Sequence, residues 1–275
     1  MNDASANQFD AGAYWQSRVG SDADLAVVGH RSMGPAYNAE IYARRIEALE
    51  DMLDRNRVAR LDELELLDVG CGSGFYTEYW RASGVTNYTG IDISRATIER
   101  LALEYPGYRF EIADITASPE VGTFDIVTVF DVLYHVVEAQ RFDAALATIA
   151  ATVKTGGLLI VMDQLNDGEY QLSRHVVFRD RKTYLDGFRR QGLELVDDEL
   201  LFHYLVPPMI GIRIADWLAA AAFKLTGLIV RNSDSLARRL ARRMRRRDTR
   251  LRAGGKRVAN SELLAFRKAA PGTAA

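Results

Sequence analysis

One cysteine, Cys71, is all the thiol chemistry this 275-residue chain carries. That excludes an internal disulfide and fits a reducing cytoplasm. The four histidines, His30, His135, His175 and His203, do not cluster with each other or with a cysteine, so no metal site is expected. No G-x-x-x-x-G-K-[ST] occurs, which removes the P-loop as a phosphate cradle. An uninterrupted apolar run of about 18 residues is also missing. The most apolar stretch, residues 209–230, is broken by Arg213, Asp216 and Lys224. The first ten residues are polar and acidic, unlike a signal peptide, so the expected location is cytoplasmic. Internal repeats are lacking as well.

Composition is ordinary: 48% hydrophobic and 26% charged residues, as in a soluble globular protein. The length allows one α/β domain with a cap. Charge is less ordinary. The net value is −2, yet residues 238–257 hold eleven Arg or Lys against one acid, Asp248. That window is +10 and the remainder −12. An acidic body with one basic segment raises the question of an anionic partner.

The most informative run is Leu66-Leu-Asp-Val-Gly-Cys-Gly-Ser-Gly74. An apolar strand enters Gly70-x-Gly72-x-Gly74 and a helical segment follows at once. Glycine lets the backbone turn sharply and approach a ligand closely. The third glycine arrives one residue earlier than in the G-x-G-x-x-G dinucleotide fingerprint. Asp92 closes a second strand 22 residues past Gly70, where a carboxylate can accept bonds from two ribose hydroxyls. The competing reading of Asp92 is a helix cap, for which Ser94 is the better candidate.

With Asp68 two residues before the first glycine, this run resembles the first motif of the class I S-adenosylmethionine (AdoMet) dependent methyltransferases. Three further motifs follow in order. Asp92-Ile93 matches the ribose position. Asp114-Ile115 ends a third strand where the family's acid accepts a bond from the adenine amino group, the alternative being a loop-start Asp. Phe124–Val136 resembles the fourth motif and would set Phe130 and Asp131 beside the methionine part of AdoMet. The resemblance is close over residues 64–165 and implies that Asp68, Gly70, Cys71, Gly72, Gly74, Asp92, Ile93, Asp114, Ile115, Phe130 and Asp131 bind AdoMet. Cys71 reads as a small side chain in a tight turn rather than a nucleophile.

The organisation follows. Residues 1–60 form an N-terminal helical segment with an amphipathic helix at 37–57; Tyr14-Trp15 and His30 fall in an irregular stretch before it. Residues 61–205 form the AdoMet-binding core, 206–258 a helical cap insertion, and 259–275 a final strand and tail. Strands are expected at 64–69, 86–92, 108–113, 124–130 and 157–163. Helices are expected at 75–83, 95–104, 139–152 and 180–191. Such alternation predicts an α/β, Rossmann-like doubly wound sheet of seven strands, the last antiparallel, with its ligand at the C-terminal strand edge.

Methyl transfer needs an in-line nucleophile, excluded water and often a base. His135, after the fourth strand, and His175, in an expected loop spanning 166–178, are the catalytic candidates; packing is the alternative for His135. Tyr14, Trp15, Tyr37, Tyr134 and Tyr170 are candidate pocket aromatics. No Asn-Pro-Pro-Tyr follows the fourth strand; Phe130–His135 stands there and resembles small-molecule methyltransferases. The expected function is O-methylation of a small organic molecule such as a natural product, a glycosyl metabolite or a lipid-linked one. The alternatives are an NAD-dependent oxidoreductase and a non-methylating AdoMet-binding protein. The insertion is expected to cap the substrate with Trp217, Leu218, Phe223 and Leu225, its arginines solvated. Peripheral membrane contact through 209–257 is the second reading and nucleic acid the third, which is not expected. The insertion could also line a homodimer interface.

Overall fold

The computed structural model describes residues 33–206, 213–230, 232–251 and 260–269. Expectations for Tyr14, Trp15 and His30 lie outside the described residues. The chain enters through helix α1 (Gly34–Arg55), then runs β1 (Glu65–Val69), α2 (Phe75–Ala82), β2 (Asn87–Asp92), α3 (Arg95–Glu104), β3 (Arg109–Ile112) and β4 (Phe124–Phe130). It continues through α4 (Ala139–Thr152), β5 (Val153–Asn166), β6 (Tyr170–Ser173), β7 (Val176–Asp180), α5 (Arg181–Arg190) and β8 (Leu193–Leu200). Helices α6 (Arg213–Val230) and α7 (Asp234–Leu251) precede β9 (Asn260–Lys268).

The principal sheet runs β3-β2-β1-β4-β5-β9-β8, the expected seven strands. The five strands β1 to β5 are mutually parallel, and β9 inserts antiparallel between β5 and β8. Strand side chains alternate between two cores, as a pleated strand requires. Leu66, Ile126, Ile160 and Leu263 face α1, Trp80 of α2 and α7. Leu67, Val127, Leu159 and Leu264 face Phe142 and Leu146 of α4 and Tyr184 and Phe188 of α5. Both faces are covered, which is why β4 and the middle of β5 read as nearly unbroken apolar runs.

Two features depart from the sequence expectation. β5 is longer than expected, and its last two residues pair with β7. The expected loop over 166–178 instead holds the β6–β7 hairpin, whose turn carries His175. α1 is also more than an appendage. Its fully buried Arg44 binds Glu199 of β8 at 2.7 Å, and Arg55 binds Asp197 at 2.8 Å. On another side, Glu40 accepts from Arg242 at 2.8 Å and pairs with Arg245 at 3.0 Å, both on α7. Arg245 also pairs with Glu47. The N-terminal helix and the insertion therefore form one layer over the sheet.

Candidate active site

The C-terminal tips of β1, β2 and β4 lie side by side, since Val69 is in register with both Ile91 and Val129. The amides of Gly70 and Cys71 both donate to the Ile91 carbonyl, at 2.7 and 3.1 Å, tying the glycine loop to the tip of β2. A Cβ on Gly70 would lie 2.4 Å from Val132 Cγ2, and one on Gly74 2.5 Å from Leu101 Cδ2. These two glycines serve close packing. Gly72 differs: it has φ +49°, and a Cβ there would meet only the Gly70 carbonyl, at 3.6 Å. The loop is thus open at Gly72, where a ligand can approach the backbone. Cys71 is buried against Ile98 and Leu101, and burial pushes its thiol pKa up, so it is a packing group.

Asp92 stands at the mouth of this loop, partly exposed. Its Oδ2 accepts from the Gly72 amide at 3.0 Å and its Oδ1 from the Ser94 amide at 2.8 Å. Ser94 is the helix cap, its Oγ accepting from the Thr97 amide at 3.3 Å. Each carboxylate oxygen of Asp92 retains a lone pair, so the group can hold the loop and two hydroxyls together. Burial raises its pKa, and the amides of Ser94, Gly72 and Ile93 oppose that. Ile93 is half-buried beside it.

Two of the expected ligands already have side-chain partners. Asp68 is only 2% exposed and accepts from Thr128 Oγ1 at 2.8 Å and the Tyr88 hydroxyl at 2.9 Å. Tyr88 in turn bonds Thr77 of α2 at 2.8 Å. Asp68 therefore anchors β1, β2, β4 and α2 beneath the loop rather than facing the cleft. Burial lifts its pKa to about 6, against the pull of the two hydroxyls. Asp114 caps the turn Ile115–Ala117: its Oδ1 accepts from the Thr116 amide at 2.8 Å and hydroxyl at 2.7 Å, and its Oδ2 pairs with Arg141 at 2.8 Å. Asp114 thus caps the loop start, while its Oδ2, which accepts one bond and is partly exposed, retains a lone pair. Ile115 is buried in the α4 face of the core.

At the end of β4, Asp131 sits at φ +58° while its amide still donates to the Met162 carbonyl at 2.8 Å. A non-glycine residue held in this left-handed region marks a constrained, often functional position. Arg45 of α1 grips both Asp131 oxygens, the longer contact being 3.4 Å. Aromatic rings surround the pair: Tyr42 packs on Phe75 at 4.4 Å, Phe75 on Tyr76 at 5.0 Å, and Tyr76 on Phe130 at 4.5 Å. Burial raises the Tyr42 pKa to about 12, with Arg45 working against and Asp131 with that shift, so the phenol stays neutral at physiological pH. Arg45, Tyr42, Phe75 and Tyr76 were absent from the sequence expectation. The only sequence signal was the i, i+3 spacing of Tyr42 and Arg45 on one helix face. Of the expected pocket aromatics, Tyr134 adjoins this site, its ring 4.3 Å from that of His135 and tilted by 58°. Tyr37 instead lies in the core with its hydroxyl donating to the Leu205 carbonyl at 2.8 Å, and Tyr170 is exposed on β6.

The two candidate histidines come together, ring centroids 6.0 Å apart and nearly parallel at 16°. His135 Nδ1 lies 2.9 Å from the His175 carbonyl. A carbonyl only accepts, so Nδ1 carries the proton and Nε2 is the basic nitrogen of neutral His135. His203 belongs to a different contact: its amide, with those of Tyr204 and Leu205, donates to Asp248 of α7.

The methyltransferase-domain family model matches residues 39–243, most of the chain. The chain belongs to this methyltransferase family. The match bears out the recognition and the AdoMet cofactor class, and it removes the oxidoreductase alternative. Among curated relatives, the ubiquinone biosynthesis O-methyltransferase of Aromatoleum aromaticum is 37% identical over 113 residues, 39% of this chain and 46% of that protein. The protein of the same name from Caulobacter sp. is 33% identical over 114 residues, covering 39% and 44%. The chain thus spans about half the length of the curated relatives it matches. A Galdieria sulphuraria structure assigned as a sarcosine dimethylglycine methyltransferase aligns with TM-score 0.55 at 18% identity over 82% of this chain and 86% of that one. Coclaurine N-methyltransferase, solved with N-methylheliamine and S-adenosylhomocysteine, aligns with TM-score 0.52 at 15% identity, covering 81% and 72%. These two bear on the fold alone. The family's cofactor also suits the residues present: an open glycine backbone at Gly72 beside a partly exposed carboxylate with lone pairs to offer.

Proposed function

We propose that the protein transfers the methyl group of AdoMet to an oxygen of a small, aromatic-bearing organic molecule in the cytoplasm. The observation that carries this is the juxtaposition, at one strand edge, of the open Gly72–Asp92 corner with the aromatic wall of Tyr42, Phe75, Tyr76 and Tyr134. AdoMet, when bound, supplies a methyl group already activated by its sulfonium. Asp92 holds the ribose hydroxyls through its remaining lone pairs, and Gly72 offers unobstructed backbone. Phe130 and Asp131 border the methionine end, with Arg45 neutralising Asp131 so that no uncompensated charge is left in the pocket. The aromatic rings exclude water and orient a flat acceptor. His135 takes the acceptor's hydroxyl proton at Nε2, and the His175 carbonyl fixes the tautomer that makes this nitrogen basic. Oxygen as the acceptor atom rests on the names of the curated relatives and on the Phe130–His135 segment, which stands where an Asn-Pro-Pro-Tyr would mark amino acceptors. The lone, buried thiol of Cys71 supports the cytoplasm as the compartment.

The test is incubation with methyl-labelled AdoMet and a panel of phenols, catechols and matching anilines. Label should appear on hydroxyl compounds, and His135→Gln should lose most of the rate while keeping S-adenosylhomocysteine affinity. Labelling of the anilines alone would overturn the choice of oxygen. Turnover of an acceptor without release of S-adenosylhomocysteine would replace transfer with a non-methylating role.

A further inference from the structure

Three of the four side chains expected to cap the substrate, Trp217, Leu218 and Leu225, are exposed on α6. Around α6, at about 100° per residue, Trp217, Leu228, Ile214, Leu225, Leu218 and Ile229 fall in one arc of roughly 120°. All six are exposed, from 52% for Leu228 to 74% for Ile214. No charged residue interrupts that arc, and the nearest, exposed Lys224, lies at its border. The opposite side faces inward: Val230 is buried, and Phe223 packs edge-on against Tyr37 of α1 at 6.2 Å. A surface helix ordinarily turns its polar side to solvent. A contiguous apolar arc of this size marks an interaction surface. The apolar exposure continues to Leu236, in the first turn of α7.

Of the eight arginines of α7, Arg238 pairs with Asp234, Arg247 lies over the Tyr204 ring, and the other six divide into two sets. Arg242 and Arg245 turn to α1 and pair with Glu40 and Glu47. Arg239, Arg243, Arg246 and Arg250 fall in another arc, of roughly 60°. All four are exposed, and none has a carboxylate partner among the described residues. Charge needed for the fold and charge left for a partner are thus separated on one helix.

We propose that the apolar arc of α6 and the free arginine row of α7 dock the protein in the plane of an anionic lipid surface. The two chemistries together select this occupant. A nucleic acid would use the arginines and leave six large apolar side chains in water. A second copy, related by a two-fold axis, would bring each arginine row toward its own duplicate. An anionic bilayer takes both: indole and aliphatic side chains enter the headgroup–acyl boundary while arginines meet phosphates. Insertion across the bilayer is a different matter, since among the described residues no helix is long and apolar enough to cross a membrane. The acidic remainder of the chain, −12 outside residues 238–257, is repelled by the same surface and fixes the orientation.

The experiment is cosedimentation of the full chain with vesicles of phosphatidylcholine alone or with about one third phosphatidylglycerol, at about 50 and 500 mM salt. Two exposed-residue variants accompany it, Trp217→Asp/Leu225→Asp and Arg239→Glu/Arg243→Glu. Circular dichroism and S-adenosylhomocysteine binding verify that both are folded. The expected result is binding to anionic vesicles that weakens about tenfold or more at high salt and in each variant, each arginine being worth about fivefold. Failure to pellet with anionic vesicles overturns the proposal, and so does pelleting that neither variant weakens. A lipid-free dimer that Trp217→Asp/Leu225→Asp dissociates, without vesicle binding, would assign the surface to a second copy. Retention on RNA that only the arginine variant abolishes, again without vesicle binding, would assign it to nucleic acid.

Discussion

Replacing Asp68 by asparagine should make the protein more stable at alkaline pH than the parent, relative to their comparison in acid. Asp68 is buried under the glycine loop, with only the hydroxyls of Thr128 and Tyr88 for partners and no cation. Its folded pKa of about 6 lies above the unfolded value of 3.8. The folded state therefore binds more protons than the unfolded state across that window, and stability falls as pH rises through it. Two units at about 1.4 kcal/mol each amount to ~3 kcal/mol between the fully protonated and fully ionised forms. About half of this, ~1.5 kcal/mol, is lost between pH 5 and pH 8. Asparagine stays neutral and can keep the network: its oxygen accepts from Thr128, while its amide donates to Tyr88, which then donates to Thr77. Urea unfolding of the ligand-free parent and Asp68→Asn at both pH values measures the effect. Any constant cost of the substitution cancels in the comparison, so the stability difference should move by ~1.5 kcal/mol in favour of asparagine from pH 5 to pH 8. A difference that does not change with pH would refute the reasoning and mean that Asp68 ionises as freely as in the unfolded chain.

Two more predictions concern the cofactor corner. Asp92→Ala removes charge-assisted bonds worth about 1.5–3 kcal/mol each, so calorimetry should show S-adenosylhomocysteine affinity at least about tenfold weaker; equal affinity would place the ribose elsewhere. The glycines should separate by mechanism: Gly74→Ala, driven to 2.5 Å from Leu101, should cost about 1–3 kcal/mol of stability in thermal melts, whereas Gly72→Ala should cost less and instead weaken cofactor binding. The reverse pattern would show that the open side of the loop has been misassigned.

What the sequence made legible is what its local physics determines. Strand, turn and helix signals stand within a few residues of one another around Gly70–Gly74 and Asp92–Ser94, and the Ser94 cap fell where its side chain and the following helix require. The alternation of strands with helices and the apolar runs of β4 and β5 announced a sheet covered on both faces. The ion pair at the heart of the site was not legible, because Arg45 and Asp131 are 86 positions apart and only the packing of α1 over the sheet joins them. The motif makes Asp68 a ligand candidate and says nothing about Tyr88 and Thr128, whose hydroxyls arrive from neighbouring strands. The β6–β7 hairpin escaped because its strands are four and five residues long and its turn, at Arg174-His175, lacks the glycine or asparagine that usually signals one.

The outward side of α6 is not legible in the sequence, for a reason that is general. α7 has a charged side and a narrow apolar one, so its sequence alone fixes which side meets α1. α6 carries only three charged residues among apolar ones, so its sequence leaves open which apolar side packs inward. Large side chains there suggested burial, yet in the structure only Phe223 among the four expected cap residues makes the inward contact, with Gly227 and Val230 buried beside it. Burial of a helix is decided by the surface offered to it, and α1 offers Tyr37, whose ring and hydroxyl are already engaged by Phe223 and Leu205. A helix that satisfies its packing along one side leaves its other apolar side chains outward. In a water-soluble setting that arrangement carries a cost of order 1.5–3 kcal/mol for each large apolar side chain left uncovered, which is recovered only when something apolar covers them.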